Sequence, residues 1–300
     1  MKLEIKPGKY IVAVSGGVDS MVLLHVLASQ PQVELIVAHF DHGIRPDSHK
    51  DEQLVAETAQ RLGLRFISEE GHLKAGVSEA NARTARFAFL HRVLAQKQAQ
   101  AVITAHHQDD VLETMIINMS RGTNRKGLSS LVSGDVIVRP LLHVPKAEIL
   151  AYAQAHDIQW REDSTNSDVR YLRNYIRQTF MPKLSNAERQ QLLAINKTMQ
   201  EHNKAIDTLI ADVLGTILGS EGLNRAAFIM LPHAIAREVM AAWLRSEQVR
   251  DVSSQQIERL VIAAKTGRLH AMYDVDRLKI MNIGRKFLEI TPRDSRITAI

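Results

Sequence analysis

The sequence contains no cysteine. Within this chain that excludes a disulfide framework, a thiolate zinc site, a cysteine-held iron–sulfur cluster, and any cysteine nucleophile or persulfide relay. It fits a reducing cytoplasm. No apolar run approaches the roughly 18 residues of a membrane span, and the N-terminal MKLEIKPGKY lacks the apolar core of a signal peptide. These absences predict a cytoplasmic chain with no membrane association and no disulfide partner. Glycine (15) and proline (8) are too few among 300 residues for a collagenous or low-complexity chain.

What is present is ordinary globular composition, 45% apolar and 24% charged, in a chain long enough to bury its own core. The length suits two domains. Net charge is 38 − 33 = +5. From Thr216 to Ile300 there are 13 Lys/Arg against 9 Asp/Glu, so +4 of that excess falls in the C-terminal part. Such a bias points to a polyanionic partner there.

The first half alternates apolar β-type runs (Tyr10–Val14, Val33–Phe40, Leu64–Ser68, Ala101–Ala105, Val136–Val138) with helical patterns (Ser20–Ser29, Ser48–Leu62, Ser78–Gln98, Asp109–Met119, Lys146–His156). Strand–helix alternation implies crossovers and a parallel sheet, which binds ligands at the carboxyl ends of its strands. The expected fold is α/β: a five-stranded, doubly wound parallel sheet, a helical extension over Ser185–Leu218, then a small α+β domain. Gly219-Ser220-Glu221-Gly222 marks the expected boundary, giving domains 1–218 and 219–300. Helices are expected at Ala234–Ser246 and Ser254–Thr266, and strands at Leu278–Ile283 and Phe287–Ile290.

Ser15-Gly16-Gly17-Val18-Asp19-Ser20 lies between the first strand and the first helix. Two glycines allow close backbone approach to an anion, and the helix offers unpaired amides and its positive end. Asp19 beside a phosphate requires a cation between them, which argues for Mg²⁺ held by Asp19. The loop lacks the Gly-Lys-Ser/Thr of a Walker A motif. It resembles the Ser-Gly-Gly-x-Asp-Ser loop of the PP-loop ATP pyrophosphatases, which cleave ATP to AMP and pyrophosphate. That resemblance implies ATP held by residues 15–20. It also places His39, in His39-Phe40-Asp41-His42 after the second strand, beside the adenosine.

His106-His107-Gln108-Asp109-Asp110-Val111-Leu112-Glu113-Thr114 follows the fourth strand on the same sheet edge. If Asp109 opens a helix, Asp109 and Glu113 share one face, and His106 and Asp110 have the same spacing. Three carboxylates so close repel one another and call for Mg²⁺, a substrate ammonium or an arginine. This segment, with Arg121-Gly122-Thr123, Gly127-Leu128-Ser129, Arg139-Pro140-Leu141-Leu142, Asp163-Ser164-Thr165-Asn166 and Arg173-Asn174-Tyr175-Ile176-Arg177, resembles the tRNA(Ile)-lysidine synthetase family. The family usually carries a second glycine where Asn124 stands. Many members have an additional C-terminal domain, and this chain resembles the shorter type.

The resemblance implies a ligase that replaces the 2-oxo group of one anticodon cytosine in tRNA(Ile), read as CAU, with free L-lysine. ATP and Mg²⁺ activate the oxygen by adenylation. Asp19, His106, Asp109, Asp110 and Glu113 are then the candidate catalytic and ammonium-binding residues. Arg121, Arg173, Asn174 and Arg177 are candidates for phosphate, tRNA or the lysine carboxylate. The C-terminal charge and the helical segment after Arg170 are the expected tRNA surface. Trp160 and Trp243 are expected in the core rather than as stacking platforms. An ammonia-dependent amidating synthetase and a non-catalytic tRNA- or ATP-binding protein are the alternatives.

Overall fold

The computed structural model describes residues 1–43, 47–71, 79–123, 125–129, 131–162, 172–249 and 252–293. Asn124, the 163–166 motif and Arg170 lie outside them. Two compact units are present, Met1–Gln200 and Glu201–Ile300.

In the first unit β1 (Gly8–Ala13), β2 (Val33–Asp41), β3 (Arg65–Glu70), β4 (Ala101–Ile103) and β5 (Ile137–Val138) form a parallel sheet ordered β3-β2-β1-β4-β5. Helices α1 (Val18–Ala28), α2 (His49–Arg61), α3 (Glu79–Lys97), α4 (Gln108–Ser120), a short α5 (Arg125–Leu128) and α6 (Lys146–Ala155) alternate with the strands. Strand periodicity sends side chains to both faces. Val12, Val37 and Ile103 join α1 and α6 residues in one core, whereas Ile11, Ile36 and Val102 pack on Phe89, Leu90 and Val93 of α3. Helix α1 is apolar nearly all round: Met21, Val22, Leu23, Leu24, Val26 and Leu27 are all buried, as a helix sandwiched between layers requires.

The strand order reverses at β1, since β2 lies on one side of it and β4 on the other. The loops leaving β1 and β4 therefore diverge above the sheet and leave a crevice there. This single topological fact sets residues 14–20 opposite residues 104–110.

After α6 the chain forms α7 (Leu172–Tyr175), a π-helical turn over Ile176–Phe180 and a 3₁₀ turn over Met181–Lys183. Helix α8 (Asn186–Ile217) runs from the first unit into the second. In the second unit β6 (Leu218–Gly219), β7 (Gly222–Asn224), β8 (Met272–Asp274), β9 (Lys279–Ile283) and β10 (Phe287–Pro292) form an antiparallel sheet ordered β6-β7-β10-β9-β8. Helices α9 (Arg225–Met230), α10 (His233–Ser246) and α11 (Ser254–Thr266) accompany it. The Gly219–Gly222 stretch forms the β6–β7 turn, with Gly222 at φ +120°. Ile210 and Leu214 of α8 share a core with buried Trp243, so the contact boundary falls before the glycines, inside α8. Among the described residues no helix is long and apolar enough to cross a membrane.

Candidate active site

Residues 15–20 turn the chain from β1 into α1. Gly16 has φ +90°, and a Cβ there would lie 3.2 Å from Cβ of Asp51. Its carbonyl accepts from the Arg161 amide at 3.0 Å. Ser20 Oγ donates to the Gly17 carbonyl (2.9 Å) and accepts from the Ser15 amide (3.1 Å). Gly17 caps α1 without a side chain; the Ser20 amide turns back to the Gly17 carbonyl at 3.1 Å, and the Val18 and Asp19 amides and the positive dipole end remain for an anion. In the first turn, Asp19 Oδ1 accepts from Lys146 Nζ at 2.5 Å and lies 3.7 Å from His107 Nε2.

His39 is buried, and its ring Nδ1 lies 2.8 Å from the Val14 carbonyl, to which it donates. The imidazole braces the end of β2 against the end of β1.

Across the crevice α4 begins at Gln108, with His107 as its N-cap. His106 therefore precedes the helix and does not sit one helical turn below Asp110. Thr104 Oγ1 holds His106 Nδ1 at 2.8 Å. Asp110 Oδ2 accepts from the His107 amide at 2.9 Å, closing the first turn of α4.

The three carboxylates of α4 are met by protein cations, Asp109 by Arg189, and Glu113 and Asp110 both by Arg177. Asp109 accepts from the Lys146 backbone amide (3.1 Å) and from Arg189 Nη1 of α8 (2.9 Å). Glu113, whose side chain is 1% exposed, accepts two bonds from Arg177, at 2.6 and 2.8 Å. Asp110 lies 3.4 Å from Arg177 Nη2. Arg173 donates to Thr114 Oγ1 at 2.8 Å, with Nε 3.8 Å from Glu113. Asp109 and Glu113 stand one turn apart on α4, as the spacing predicted, but engage different partners: one meets α6 and α8, the other the π-helical turn.

A cavity of about 1060 Å³ occupies the crevice, roomy enough for a nucleotide and a second small molecule. Asp19, Ser20, His39, His106, Asp110 and Arg177 line it together with Ser15, Gly17 and Val18. Asp109, Glu113, Arg173 and Asn174 do not, and Arg121 is exposed at the C-cap of α4. Two lining cations that sequence reasoning passes over are Lys146 and Arg161. Arg161 bonds Asp51 (2.6 Å) and Asp47 (2.9 Å), and so ties the phosphate loop to α2. Both residues follow β5 on the ligand-binding edge, which is the signal that could have found them. Trp160 borders the cavity half-buried, and Trp243 is in the second core.

Burial pushes His106 down to about 3, with Arg139, Arg86 and Arg83 adding to the effect and Asp110 opposing it, so its imidazole is neutral at pH 7. Burial also pushes Asp110 up, but His107, its amide, His106 and Arg177 outweigh that and hold it below the usual carboxylate range. At Glu113 burial is the larger influence and raises the pKa against the pull of Arg177. Burial alone would lower Arg177, yet its bonds to Glu113 and the nearby Asp110 raise it.

Among the described residues no group of three or more His, Cys, Asp or Glu is arranged to hold a metal. Mg²⁺ does not need one, because it is commonly bound by one or two carboxylates together with substrate phosphates. Asp19, within the loop and in the cavity wall, fits that pattern.

Comparison with known proteins agrees with this architecture. The PP-loop domain family model matches residues 2–184. The tRNA(Ile)-lysidine synthase of Nitrosomonas europaea is 31% identical, over 98% of this chain and 68% of its own length. That of Solibacter usitatus is 35% identical, over 86% of this chain and 62% of its own. The chain thus spans less than two thirds of the length of most of the curated relatives it matches. In fold it resembles the U34-tRNA thiolase NcsA of Methanococcus maripaludis, with a TM-score of 0.56 at 17% identity, covering 66% of this chain and 73% of that one. An anion loop, a crevice at the strand-order reversal and these matches together place the chain in the PP-loop family, within its tRNA(Ile)-lysidine synthase group.

Proposed function

We propose that this chain joins free L-lysine to the 2-carbon of the wobble cytidine in the CAU anticodon of tRNA(Ile), at the expense of ATP. The observation that carries the reading is the cavity. It sets an anion-binding loop on one wall and a carboxylate–arginine cluster on the other, close enough to serve one reaction.

The cytosine O2 is a poor leaving group until it carries a phosphate. In the first step O2 bonds to the α-phosphorus of ATP and pyrophosphate leaves. In the second the lysine ε-nitrogen bonds to C2, the C2–O2 bond breaks, AMP departs with O2, and the amine gives up its protons. The amides and hydroxyls of residues 15–20 cradle the phosphates. Asp19 would hold Mg²⁺, which supplies charge neutralisation on the phosphates when bound. Asp110, ionised and facing the cavity, binds the lysine ammonium, and the proton the amine sheds before attack passes to solvent. Neutral His106 orients the reacting groups through hydrogen bonds. Arg177 serves as the counter-charge shared by Asp110 and Glu113. The chief catalytic contribution is holding base, ATP and amine together. The +4 excess of Thr216–Ile300 suits tRNA phosphates, and the cytoplasm is where these substrates meet.

The test is incorporation of labelled lysine into tRNA(Ile) bearing CAU, with ATP and Mg²⁺, counting AMP in parallel. Equal lysine and AMP, lost in Asp19→Asn, is the expected result. Cleavage of ATP without lysine incorporation rejects lysidine formation while leaving the phosphate loop intact.

A further inference from the structure

We propose that Lys146 is a ligand for the nucleotide's phosphate chain, held on Asp19 until the nucleotide arrives. The proposal rests on the ATP-binding part of the reading above and not on lysine as the acceptor.

Lys146 opens α6, directly after Pro145, and its position is fixed by backbone contacts. Its own amide donates to Asp109 Oδ1 at 3.1 Å, and the Gln108 amide donates to the Val144 carbonyl at 3.1 Å. Arg189 holds the other oxygen of Asp109 at 2.9 Å. The starts of α4 and α6 are thereby sewn together. That side chain crosses to α1 and meets Asp19 Oδ1 at 2.5 Å. Both side chains keep about a third of their exposure, 33% and 29%, so neither is locked away from an incoming solute.

Two other cations of the wall, Arg161 and Arg177, are more fully used. Arg161 is divided between Asp47 and Asp51, and Arg177 is paired twice with Glu113. An ammonium has three donors, and one carboxylate oxygen engages one of them. Lys146 therefore has donors to spare within the cavity that the phosphate loop borders.

Charge balance decides what happens when nucleotide enters. Asp19 and Lys146 neutralise each other, whereas a triphosphate brings about four negative charges beside Asp19. Asp19 then needs a cation shared with the phosphates, and Lys146 gains more from the phosphate oxygens than from one carboxylate. Turning the flexible four-carbon stem from Asp19 to the phosphates achieves both without moving the backbone. An ammonium so placed favours the triphosphate over the monophosphate, because AMP offers one phosphate where ATP offers three.

The experiment compares ATP and AMP binding by calorimetry, with Mg²⁺ and without tRNA or lysine, in wild type, Lys146→Met and Lys146→Arg. The expected result is a loss of at least tenfold in ATP affinity in Lys146→Met, AMP affinity within twofold of wild type, and partial retention of the ATP preference in Lys146→Arg. If thermal melting shows that Lys146→Met does not fold, Lys146→Gln carries the same comparison. An ATP-to-AMP affinity ratio unchanged in a folded, charge-free variant overturns the proposal and leaves Lys146 as a counter-charge for Asp19 alone. Wild type that binds no ATP overturns it too, along with the reading beneath it. Wild type that binds ATP but incorporates no lysine sinks the lysidine reading only, and the affinity ratio still decides the role of Lys146.

Discussion

Arg177 holds Glu113 in a two-bond clamp, Nε to Oε1 at 2.6 Å and Nη2 to Oε2 at 2.8 Å, while the same Nη2 reaches Asp110 at 3.4 Å. One guanidinium thus compensates a carboxylate in the core of α4 and another facing the cavity. Truncating one partner of a buried pair costs about 3–5 kcal/mol. Arg177 remains 39% exposed, so solvent recovers part of that and about 2–4 kcal/mol is expected. Arg177→Met should lower the urea midpoint accordingly and abolish lysine incorporation. Adding Glu113→Gln should restore most of the midpoint and none of the activity. A double variant no more stable than Arg177→Met would show that the clamp is not the origin of the loss.

The acid side of the stability profile follows from His106. Its folded pKa is depressed to about 3 from an ordinary 6.5, so the folded state excludes a proton that the unfolded chain takes up. The associated stability is complete above pH 6.5 and is lost as pH falls toward 3. At pH 5 the unfolded imidazole is mostly protonated and the folded one is not, which costs about 2 kcal/mol. Asp110, also depressed, adds a loss of the same sign only below the usual carboxylate range, while Glu113, raised, works in the opposite direction. Urea titrations at pH 7 and pH 5 should show the drop in wild type and a smaller one in His106→Asn. Equal drops in both proteins would assign it to other groups.

The alternation of Ile11–Val12, Ile36–Val37 and Val102–Ile103 with amphipathic segments was sufficient to read a parallel sheet, since burial on both faces demands apolar residues at every position. The phosphate loop was legible for a local reason: the glycines and Ser20 act on their own immediate backbone. The pairing of Lys146 with Asp19 was not legible, because it spans 127 residues of sequence and only the packing of α6 on α1 brings them together. Asp109 shows a different limit. Helical spacing placed it one turn from Glu113 on α4, as found, but spacing does not reveal that Asp109 is bound by Arg189 and the Lys146 amide while Glu113 is bound by Arg177. The π-helical turn that delivers Arg177 has no pattern of its own in the sequence.

Gly16 carries a strict backbone requirement. At φ +90° an added methyl costs about 1–3 kcal/mol in strain. It would also press on Asp51, which Arg161 holds in place. Gly16→Ala should lower thermal stability by that amount and weaken ATP binding more than tenfold, because the loop must flatten to relieve the contact. Gly17, where an added Cβ meets only Ser15 Oγ at 3.6 Å, should tolerate alanine with far less loss of stability. Melting curves and calorimetry on the two variants give the comparison, and equal losses would refute the assignment of strain to Gly16.

Asp109 and Asp110 are neighbours with opposite expected roles. Asp109 is spent on the Lys146 amide and on Arg189, outside the cavity, so Asp109→Asn should act on stability, by about 1–2 kcal/mol for the weakened charged bond. Its lysine KM should stay within threefold of wild type. Asp110 faces the cavity, and losing its charge removes one charge-assisted bond to an ammonium, about 1.5–3 kcal/mol or at least tenfold in lysine KM. ATP binding, measured without lysine, should be little changed in Asp110→Asn because the phosphate loop lies on the opposite wall. Steady-state kinetics with lysine varied at saturating ATP and tRNA separate the two. A rise in lysine KM for Asp109→Asn equal to that for Asp110→Asn would mean that the start of α4 moves on substrate binding and that both carboxylates reach the amine.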